Sequence, residues 1–389
     1  MRKGWEYKKL GEVLETTSGG TPSKSHKEYY EGGTIPWLRS GEVSKGDIYD
    51  AELYITEEGL KKSSAKLFPI DTVLIAMYGA TVGQVGILKS TMCTNQAICG
   101  ILPNKDFHPN FLKYVLLANK KNYLKQAIGG AQPNISQQVI KSTYIPIVKF
   151  SEQESVVSEL DKINELIRLK KEQLKDFDNL AQSIFYEMFG DPVENEKGWE
   201  MKKLNEIVSD NCSISYGIVQ PGDGIENGVP VVRPVDMTGT FVYRQGLKNT
   251  TKEISDSYKR TILKGNEILM CVRGTTGLIA MASSELRGCN VTRGITPIEC
   301  GKSCNKWFIY YQISNSSIQQ YIAEYTRGIA LKQINMKDVR DIPLCLPPLP
   351  LQHLFAQRIE QIEHQKAEVQ KAITDLETLL ASRMQYWFE

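Results

Sequence analysis

The chain has 389 residues, of which 41% are hydrophobic and 24% charged, and its formal net charge is +2. This length exceeds that of one ordinary domain, and the composition is that of a folded, soluble protein. No apolar run approaches the roughly 18 residues that a membrane-spanning helix needs. Residues 1–6 carry no apolar stretch behind their positive charges, so no signal peptide is predicted and a cytoplasmic location is expected.

Eight cysteines are scattered along the chain. Disulfide-stabilised secreted proteins are short and rich in cysteine, so buried free thiols are expected here instead. Cys300 and Cys304 form the only close pair. No histidine or second cysteine pair stands at zinc-finger spacing, and we predict no metal site. The four histidines are isolated from one another, which leaves no candidate catalytic constellation.

In chain order, the first predicted elements belong to a mixed α/β domain. Residues Thr72–Ala76 form a short apolar run typical of a buried strand, and residues Pro109–Ala127 read as helical. Glycine-rich stretches between such runs predict loops. A long helix follows. Its expected N-cap is Ser151, with Glu154 at the capping-box position, and the Gly-Asp-Pro sequence at 190–192 ends it.

The second half of the chain repeats the first. Gly-Trp-Glu at residues 198–200 repeats the same sequence at residues 4–6, and Glu267–Val272 predicts another buried strand. Residues Asn305–Tyr325 read as helical, and a second long helix follows the Pro-Pro at 347–348. The period is far longer than that of a solenoid repeat, so the sequence predicts a duplicated domain pair.

Both long helices carry an apolar heptad seam, with residues at alternating steps of four and three. Phe355 follows Val156 by 199 residues, and the later positions of the pattern keep this offset. The predicted seam consists of Val156, Leu160, Ile163, Ile167, Leu174, Phe177 and Ile184 in the first helix, and of Phe355, Ile359, Ile362, Val369, Ile373, Leu376 and Leu380 in the second. At Lys170, Lys366 and Arg383 the seam is polar, and these residues either fix the register or extend along its edge toward water.

The predicted fold class is α+β: two mixed α/β domains in tandem duplication, separated by two long helices that pair as an antiparallel coiled coil. Residues 1–150 form the first domain, 151–190 the first long helix, 191–349 the second domain and 350–389 the second long helix. Each helix runs away from its own domain, and little chain is available for a return. The two domains are therefore expected at opposite ends of the helix pair.

Several motifs occur in a fixed order along the chain. They are Gly-Trp-Glu at the start of each half, Thr17–Pro22 before Ile35–Trp37, Ser183–Pro192, Tyr216–Gly222 before Val229–Arg233, and Leu346–Leu349 before Gln352. With these motifs the chain resembles the specificity subunits of type I restriction-modification systems, and the resemblance covers essentially the whole chain. One departure is that Ile145–Phe150 lacks the double proline found at the equivalent point of the second half.

The resemblance implies a non-catalytic subunit with two target-recognition domains, each reading one half of a split site in double-stranded DNA. It implies that the helices set the spacer between the halves and dock two methyltransferase subunits, to which motor-nuclease subunits are added in a restriction enzyme. No cofactor is expected in this chain. S-adenosylmethionine is expected in the methyltransferase, and ATP and magnesium in a motor-nuclease partner. Since such partners also surround the DNA, the near-neutral net charge agrees with DNA binding.

Two rival functions remain open: a coiled-coil scaffold with two protein-binding heads and no DNA readout, and an enzyme in its own right. The sequence argues against the enzyme. Amino-methyltransferases hold the target amine with an Asn/Asp-Pro-Pro-aromatic motif, whereas the only Pro-Pro here, at 347–348, is followed by Leu349. The chain also has no phosphate-binding loop ending in Gly-Lys-Ser/Thr.

Base readout in the major groove favours Arg or Lys for guanine and Asn or Gln for adenine, and phosphate contact favours hydroxyls, backbone amides and positive charge. On these grounds the DNA-binding candidates are Ser18, Gly19, Thr21, Arg39, Tyr78, Thr81, Asn95, Gln96, Gln132 and Asn134 in the first domain, and Tyr216, Gln220, Arg233, Arg273, Thr275, Thr276, Thr292, Arg293, Arg327, Lys332 and Gln333 in the second. Arg273 and Arg293 are preferred for base contact because they differ from Tyr78 and Gln96 at the aligned positions.

Arg39 and Arg233 occupy matching places after a proline in the two halves. A role shared by both halves fits a structural contact as well as a DNA contact. For every single candidate, the alternative is an ordinary solvated loop side chain.

Overall fold

The first half of the chain alternates short strands and helices and ends in one long helix. The computed structural model describes residues 2, 4–129, 133–328 and 331–389. The strands of this half are β1 (Glu6–Lys9), β2 (Thr16–Ser18), β3 (Ile35–Leu38), β4 (Asp47–Ile48), β5 (Tyr54–Ile55), β6 (Leu67–Phe68), β7 (Val73–Ala76), β8 (Val85–Leu88), β9 (Met92–Thr94), β10 (Ile98–Ile101) and β11 (Tyr144–Ile147). Its helices are α1 (Leu10–Val13), α2 (Glu57–Lys61), α3 (Pro109–Ala118), α4 (Lys120–Gln126), α5 (Gln137–Lys141) and α6 (Phe150–Phe189).

The second half contains a similar series of elements. Its strands are β12 (Glu200–Lys203), β13 (Val229–Val232), β14 (Phe241–Val242), β15 (Lys248–Thr250), β16 (Ile268–Cys271), β17 (Ile279–Ala282), β18 (Asn290–Val291), β19 (Ile295–Ile298) and β20 (Pro343–Leu346). Its helices are α7 (Leu204–Ile207), α8 (Lys252–Ser257), α9 (Lys306–Ser314), α10 (Ser316–Tyr325), α11 (Met336–Arg340) and α12 (Leu349–Phe388). The predicted strands at 72–76 and 267–272, the helical segments and the two long helices are thereby confirmed.

The sheets of the two halves share one topology. The order β10-β7-β8-β4 in the first half corresponds to β19-β16-β17-β14 in the second, and β5-β3-β9 corresponds to β15-β13-β18. The parallel pairs also correspond, since β4 pairs with β8 as β14 does with β17, and β3 with β9 as β13 does with β18. The first half adds the edge strands β2 and β6. The duplication seen in the sequence is therefore a duplication of the fold, and the α+β class is confirmed.

Each domain begins and ends at one pair of strands. β1 pairs with β11 and β12 pairs with β20, both antiparallel, so the chain enters and leaves each domain at neighbouring positions. The chain divides into two compact units, one containing residues 1–171 and 371–389 and the other residues 172–370. Each long helix is thus shared between the units. The division into four segments inferred from the sequence stays a prediction.

In the first unit the start of α6 lies antiparallel to the end of α12. Arg383 donates hydrogen bonds to both carboxylate oxygens of Glu159, and the Trp387 indole donates to the same carboxylate at 3.1 Å. Further along α6, the Lys171 ammonium lies 2.8 Å from the carboxylate of Glu377. Residue numbers rise along α6 as they fall along α12, which defines the antiparallel direction.

In the second unit the end of α6 lies antiparallel to the start of α12. The Lys366 ammonium lies 2.8 Å from carboxylate oxygens of both Asp178 on α6 and Glu363 on its own helix. The Arg358 guanidinium approaches the Met188 sulfur at 3.9 Å. Burial lowers the pKa of Lys366, but the hydrogen bonds to the two carboxylates outweigh this effect and the pKa is raised. Lys366 and Arg383 therefore both bond to the facing helix.

The predicted seam positions are all removed from water to some degree. Those buried are Val156, Leu160, Ile163, Ile167, Phe355, Ile359, Ile362, Val369 and Ile373, and those half-buried are Leu174, Phe177, Ile184, Leu376 and Leu380. Val156 and Leu160 belong to the hydrophobic core of the first domain, and Phe355, Ile359 and Ile362 to that of the second. The seam thus serves the domain cores as well as the helix pair.

The start of the first long helix corrects one expectation. α6 begins at Phe150, so Ser151 lies inside the first turn and is not the N-cap. The helix ends at Phe189, before Gly190, whose φ of 76° stops the helix at the predicted Gly-Asp-Pro sequence.

A buried glutamine anchors the first turn of each long helix to its domain. Gln153 accepts a hydrogen bond from the His108 amide at 2.8 Å, and Gln352 accepts one from the Asn305 amide at 2.8 Å. Each also donates to the carbonyl five residues earlier, at 3.1 and 2.8 Å. Breaking such a bond would leave a buried polar group without a partner. The two junctions are therefore built alike, although the first lacks the double proline.

The ion pair of Glu159 predicts a pH-dependent contribution to stability. The hydrogen bonds from Arg383 hold the pKa of Glu159 below its ordinary value, against the opposing effect of burial. Because this pKa is lowered on folding, the stabilisation is present above the unfolded value of about 4.3 and is lost as pH falls through the folded value. Glu159→Gln should lower the free energy of unfolding at pH 7 by about 1 kcal/mol. Chemical denaturation at a series of pH values should show this difference shrinking below about pH 4.

The control is Glu15→Gln, which alters an exposed carboxylate with no ion pair in the described part of the chain. It should leave stability nearly unchanged at every pH. A difference between wild type and Glu159→Gln that stays constant down to low pH would contradict the assignment.

Candidate nucleic-acid interface

In the first domain, a row of four residues crosses one end of the main sheet, just beyond the last paired residues of β7 and β10. β7 and β10 pair as far as Ala76 and Ile98. Beyond them, the Met77 amide donates a hydrogen bond to the Ala97 carbonyl at 2.8 Å. Tyr78 and Gln96 are therefore opposite each other as the following pair. These two residues are the first half of the row.

Two more residues extend this row on the other side of Tyr78. Asn134 bridges to Tyr78 in antiparallel fashion, and Ile128 bridges to Asn134 through two backbone hydrogen bonds of 2.9 and 3.0 Å. We call Ile128, Asn134, Tyr78 and Gln96 the first row.

The second domain repeats this arrangement. β16 and β19 pair as far as Cys271 and Ile295. Beyond them, the Val272 amide donates a hydrogen bond to the Gly294 carbonyl at 2.7 Å. Arg273 and Arg293 are therefore opposite each other. Gln333 bridges to Arg273, and Arg327 bridges to Gln333 through two hydrogen bonds of 2.8 Å. We call Arg327, Gln333, Arg273 and Arg293 the second row.

Both rows are comparable in length with the width of a DNA groove. Residues directly opposite in antiparallel pairs project to the same side of a sheet. Neighbouring strands lie about 4.8 Å apart, so four adjacent positions span about 14 Å. The major groove of B-DNA is about 12 Å wide.

The structure adds Ile128 to the candidate residues. Its side chain is 77% exposed, and its counterpart in the second row is Arg327. Arg327 follows Ile128 by 199 residues, as Gln333 follows Asn134. This is the offset of the long helices, and it is the signal that would have identified Ile128 from the sequence.

The second row is positively charged and the first row is not. In the described part of the chain, the side chains of Arg273, Arg293 and Arg327 make no ion pair or hydrogen bond, and neither does the exposed neighbour Lys332. Arg273 and Arg293 are half-buried and face each other across the ladder. Like charges directly opposite in a strand pair are destabilising. The second row therefore carries a charge excess that an anionic ligand would relieve.

Two of the predicted arginines are held by acidic side chains. Arg39 lies 2.7 Å from Glu52, and Arg233 binds both carboxylate oxygens of Asp236, at 3.0 and 2.7 Å. The hydrogen bonds that Arg233 donates to the Asp236 carboxylate raise the pKa of Arg233. This pairing agrees with a structural role, one of the two interpretations left open for these arginines, and a DNA contact stays a prediction for both.

Gly19 has a structural explanation as well. A Cβ atom on Gly19 would lie 2.1 Å from the carbonyl oxygen of Thr94, and one on Gly217 would lie 2.2 Å from that of Val291. Both glycines thus permit a close backbone approach at equivalent points, and Gly19 is buried. A DNA contact at Gly19 stays a prediction.

Three of the remaining candidates are hydrogen-bonded to residues of the two rows. Thr21 donates to the Gln96 side chain, the Thr81 hydroxyl donates to the Tyr78 carbonyl at 3.2 Å, and the Gln333 amide donates to the Tyr216 hydroxyl at 3.2 Å. The half-buried candidates are Ser18, Thr21, Thr81, Asn95, Tyr216, Thr276 and Thr292, and the exposed ones are Gln220, Thr275 and Lys332. Gln132 lies outside the described residues.

Within the described ranges, no group of three or more His, Cys, Asp or Glu side chains is arranged to hold a metal ion. All eight cysteines are free thiols, and all except the half-buried Cys212 and Cys300 are buried. None of the helices in those ranges combines the length and the apolar character needed to cross a membrane.

The duplicated rows coincide with a duplicated family match. Residues 2–176 and residues 196–378 both match the family model described as type I restriction modification DNA specificity domain. The chain belongs to this family. It is 25% identical to the type I restriction enzyme MjaIX specificity subunit of Methanocaldococcus jannaschii, over 97% of this chain and 91% of that protein.

Other comparisons agree with this membership. The chain is 22% identical to the type I restriction enzyme EcoBI specificity subunit of Escherichia coli, over 96% of this chain and 82% of that protein. A solved chain from a study of complex assembly and conformational transition of the type I R-M system has a TM-score of 0.60 at 20% identity. That comparison covers 100% of this chain and 98% of the other and shows that the fold is shared.

The facing arginines predict a gain of stability on removal of one charge. Arg293→Gln gives the second row the side chain that the first row has at the equivalent position, Gln96. Because like charges directly opposite are destabilising, the variant should be more stable by roughly 0.2–1 kcal/mol at low salt. The gain should shrink at high salt, where the Debye length falls to about 3 Å at 1 M. Chemical denaturation at low and high salt measures both effects.

Arg260→Gln is the matched control, because Arg260 is an exposed arginine of the same unit with no ion pair among the described residues. If both variants changed stability equally, repulsion between Arg273 and Arg293 would be ruled out.

Proposed function

We propose that this specificity subunit reads a bipartite DNA site, with the first row contacting one half of the site and the second row the other. As a member of its family it supplies recognition and not catalysis. Base pairs are distinguished by hydrogen bonds and apolar contacts along the groove, and both rows offer such groups at equivalent points of one scaffold.

One observation carries the proposal: the backbone of the row is duplicated while its side chains differ at all four positions. Tyr78 and Gln96 are replaced by Arg273 and Arg293, and Ile128 by Arg327. A structural requirement shared by both domains would favour similar residues, as it does at Gly19 and Gly217. Divergence confined to side chains on a common scaffold is what two different half-sites require.

The charge of the second row supports an anionic partner. Its three arginines and Lys332 have no acidic partner in the described ranges, although the chain as a whole is nearly neutral. Lys and Arg that neutralise phosphates, or bind guanine, gain their interactions only with nucleic acid bound. The cost of keeping these cations together in the free protein is thereby explained.

The partners of this subunit follow from the family. We propose that two methyltransferase subunits dock on the paired helices and bind S-adenosylmethionine, and that motor-nuclease subunits, where present, use ATP and magnesium. The near-neutral net charge supports a complex in which these partners supply further phosphate contacts. A cytoplasmic location, where the chromosomal DNA of a bacterial or archaeal cell lies, belongs to the same proposal.

Arg273→Ala tests whether each row serves one half of the site. The variant should relax recognition in one half of the methylated motif and leave the other half unchanged. A bidentate contact to guanine contributes about 1–3 kcal/mol of discrimination, so the loss should be roughly fivefold to 150-fold. Mapping methylated motifs in the genome of cells that express each variant, together with its methyltransferase, gives the result.

Arg260→Ala is the control for charge and should leave the motif intact. Equal loss in both halves of the motif would contradict the assignment of the second row to one half-site.

We also propose that the paired helices set the spacer between the half-sites. Lys171 and Gln370 are equivalent positions of α6 and α12, at the boundary between the two compact units. Four residues inserted after each would lengthen both helices by about 6 Å, or about two base-pair steps. The packing within each unit would remain, since a coiled coil absorbs a four-residue insertion by local unwinding.

The expected result is a methylated motif with a changed spacer and unchanged half-sequences. Four residues inserted after the exposed Gly246, which lies outside the helices, should leave the spacer as it was. An unchanged spacer in the helix variant would show that the helices do not determine it.

A further inference from the structure

The first row contains an apolar side chain that is largely exposed to water in the free protein. Ile128 is 77% exposed, the highest value among the large hydrophobic residues in the described part of the chain. Two backbone hydrogen bonds to Asn134 fix its position, so the exposure does not come from a frayed end. The free energy falls when an apolar surface covers an isoleucine that is exposed to water.

The neighbours of Ile128 restrict what that surface can be. Asn134 is exposed and stands directly opposite Ile128, and Tyr78 beside it is 46% exposed. Gln96 completes the row, with Thr21 donating to its side-chain oxygen. The first row thus offers amides, a phenol and an aliphatic group, and carries no formal charge.

These groups match one of the two kinds of base pair. In the major groove, adenine presents N7 and the N6 amine, which an Asn or Gln amide binds in bidentate fashion. Thymine presents the C5-methyl group, the only apolar feature of the groove, and apolar side chains contact it. Guanine is bound most often by Arg or Lys, which the first row lacks and the second row has.

We propose that the first row recognises A·T pairs, with Ile128 contacting a thymine methyl and Asn134 an adenine, whereas Arg327, at the equivalent point of the second row, recognises guanine. This inference rests on the proposed function and adds the chemical class of base read by each half. Two half-sites of unlike composition follow from one scaffold, because the equivalent position holds an aliphatic side chain in one domain and a guanidinium in the other.

Uracil in place of thymine tests the methyl contact directly, since it removes only that methyl group. The complex of this chain with its methyltransferase is titrated with a duplex carrying the mapped site, and each thymine of the first half-site is replaced in turn. At one position, uracil should weaken binding of the wild-type complex about fourfold, the effect of about one buried methyl group.

Variants of Ile128 make the test specific to this side chain. Ile128→Ala should bind the thymine duplex about as weakly as wild type binds the uracil duplex, with no further loss on uracil. Ile128→Val, which keeps the branched methyl groups, should retain the sensitivity to uracil. Ile70→Ala removes an exposed isoleucine elsewhere in the same unit and should behave as wild type.

Arg327→Ala tests base recognition by the second row. It should keep the uracil effect in the first half-site and lose discrimination at a G·C pair in the second. The inference is overturned if no thymine responds to uracil, if Ile128→Ala keeps the full response, or if Arg327→Ala relaxes an A·T pair. Failure of the proposed function looks different, because the wild-type complex would then bind the site no more tightly than an unrelated duplex.

Discussion

The structure depends on the need to cover the apolar seam of two 40-residue helices. Neither helix can bury its seam alone. In each compact unit, the start of one helix pairs with the end of the other and buries this part of the seam. In the second unit Phe189 of α6 packs against Phe308 at 4.7 Å, and in the first unit Phe388 of α12 packs against Phe111 at 5.7 Å between ring centroids. Each domain core is thus completed by a helix from the other half. Phe189 is fully buried and contributes about 1.5–3 kcal/mol, whereas Phe388 is half-buried.

Because packed cores stabilise each domain, the first and second rows can carry side chains that do not stabilise the free protein. The pairing of Arg273 with Arg293 costs stability in the free protein. Ile128 is exposed in the folded protein as in the unfolded chain, so its side chain adds little to stability. Each is held by backbone hydrogen bonds that do not depend on the side chain, as the identical bonds at Asn134 and Gln333 demonstrate. The scaffold therefore tolerates charged, polar or apolar side chains at these positions.

Much of this architecture could be predicted from the sequence because it depends on periodic patterns. The heptad steps located the helices, and the constant offset from Val156 to Phe355 implied their equivalence. The ion pairs of Arg39 and Arg233 could not be predicted, since their partners Glu52 and Asp236 are not marked by any pattern. Ile128 escaped notice because an isolated isoleucine resembles a core residue. Its offset of 199 residues from the candidate Arg327 is the mark that the sequence carries, and the bridge to Asn134 places it in the row.

The pairing of the first and last strands of each domain, β1 with β11 and β12 with β20, has an evolutionary consequence. Because the chain enters and leaves a domain at adjacent points, the segment between them can lengthen, shorten or be replaced wholesale without moving the helix that follows. The offset between the halves is 194 residues at Trp5 and Trp199 and 199 residues at the helices, so the loops have already drifted in length. A genetic exchange that respects these strand pairs would deliver a new domain as a self-contained cassette, on a framework that stays the same.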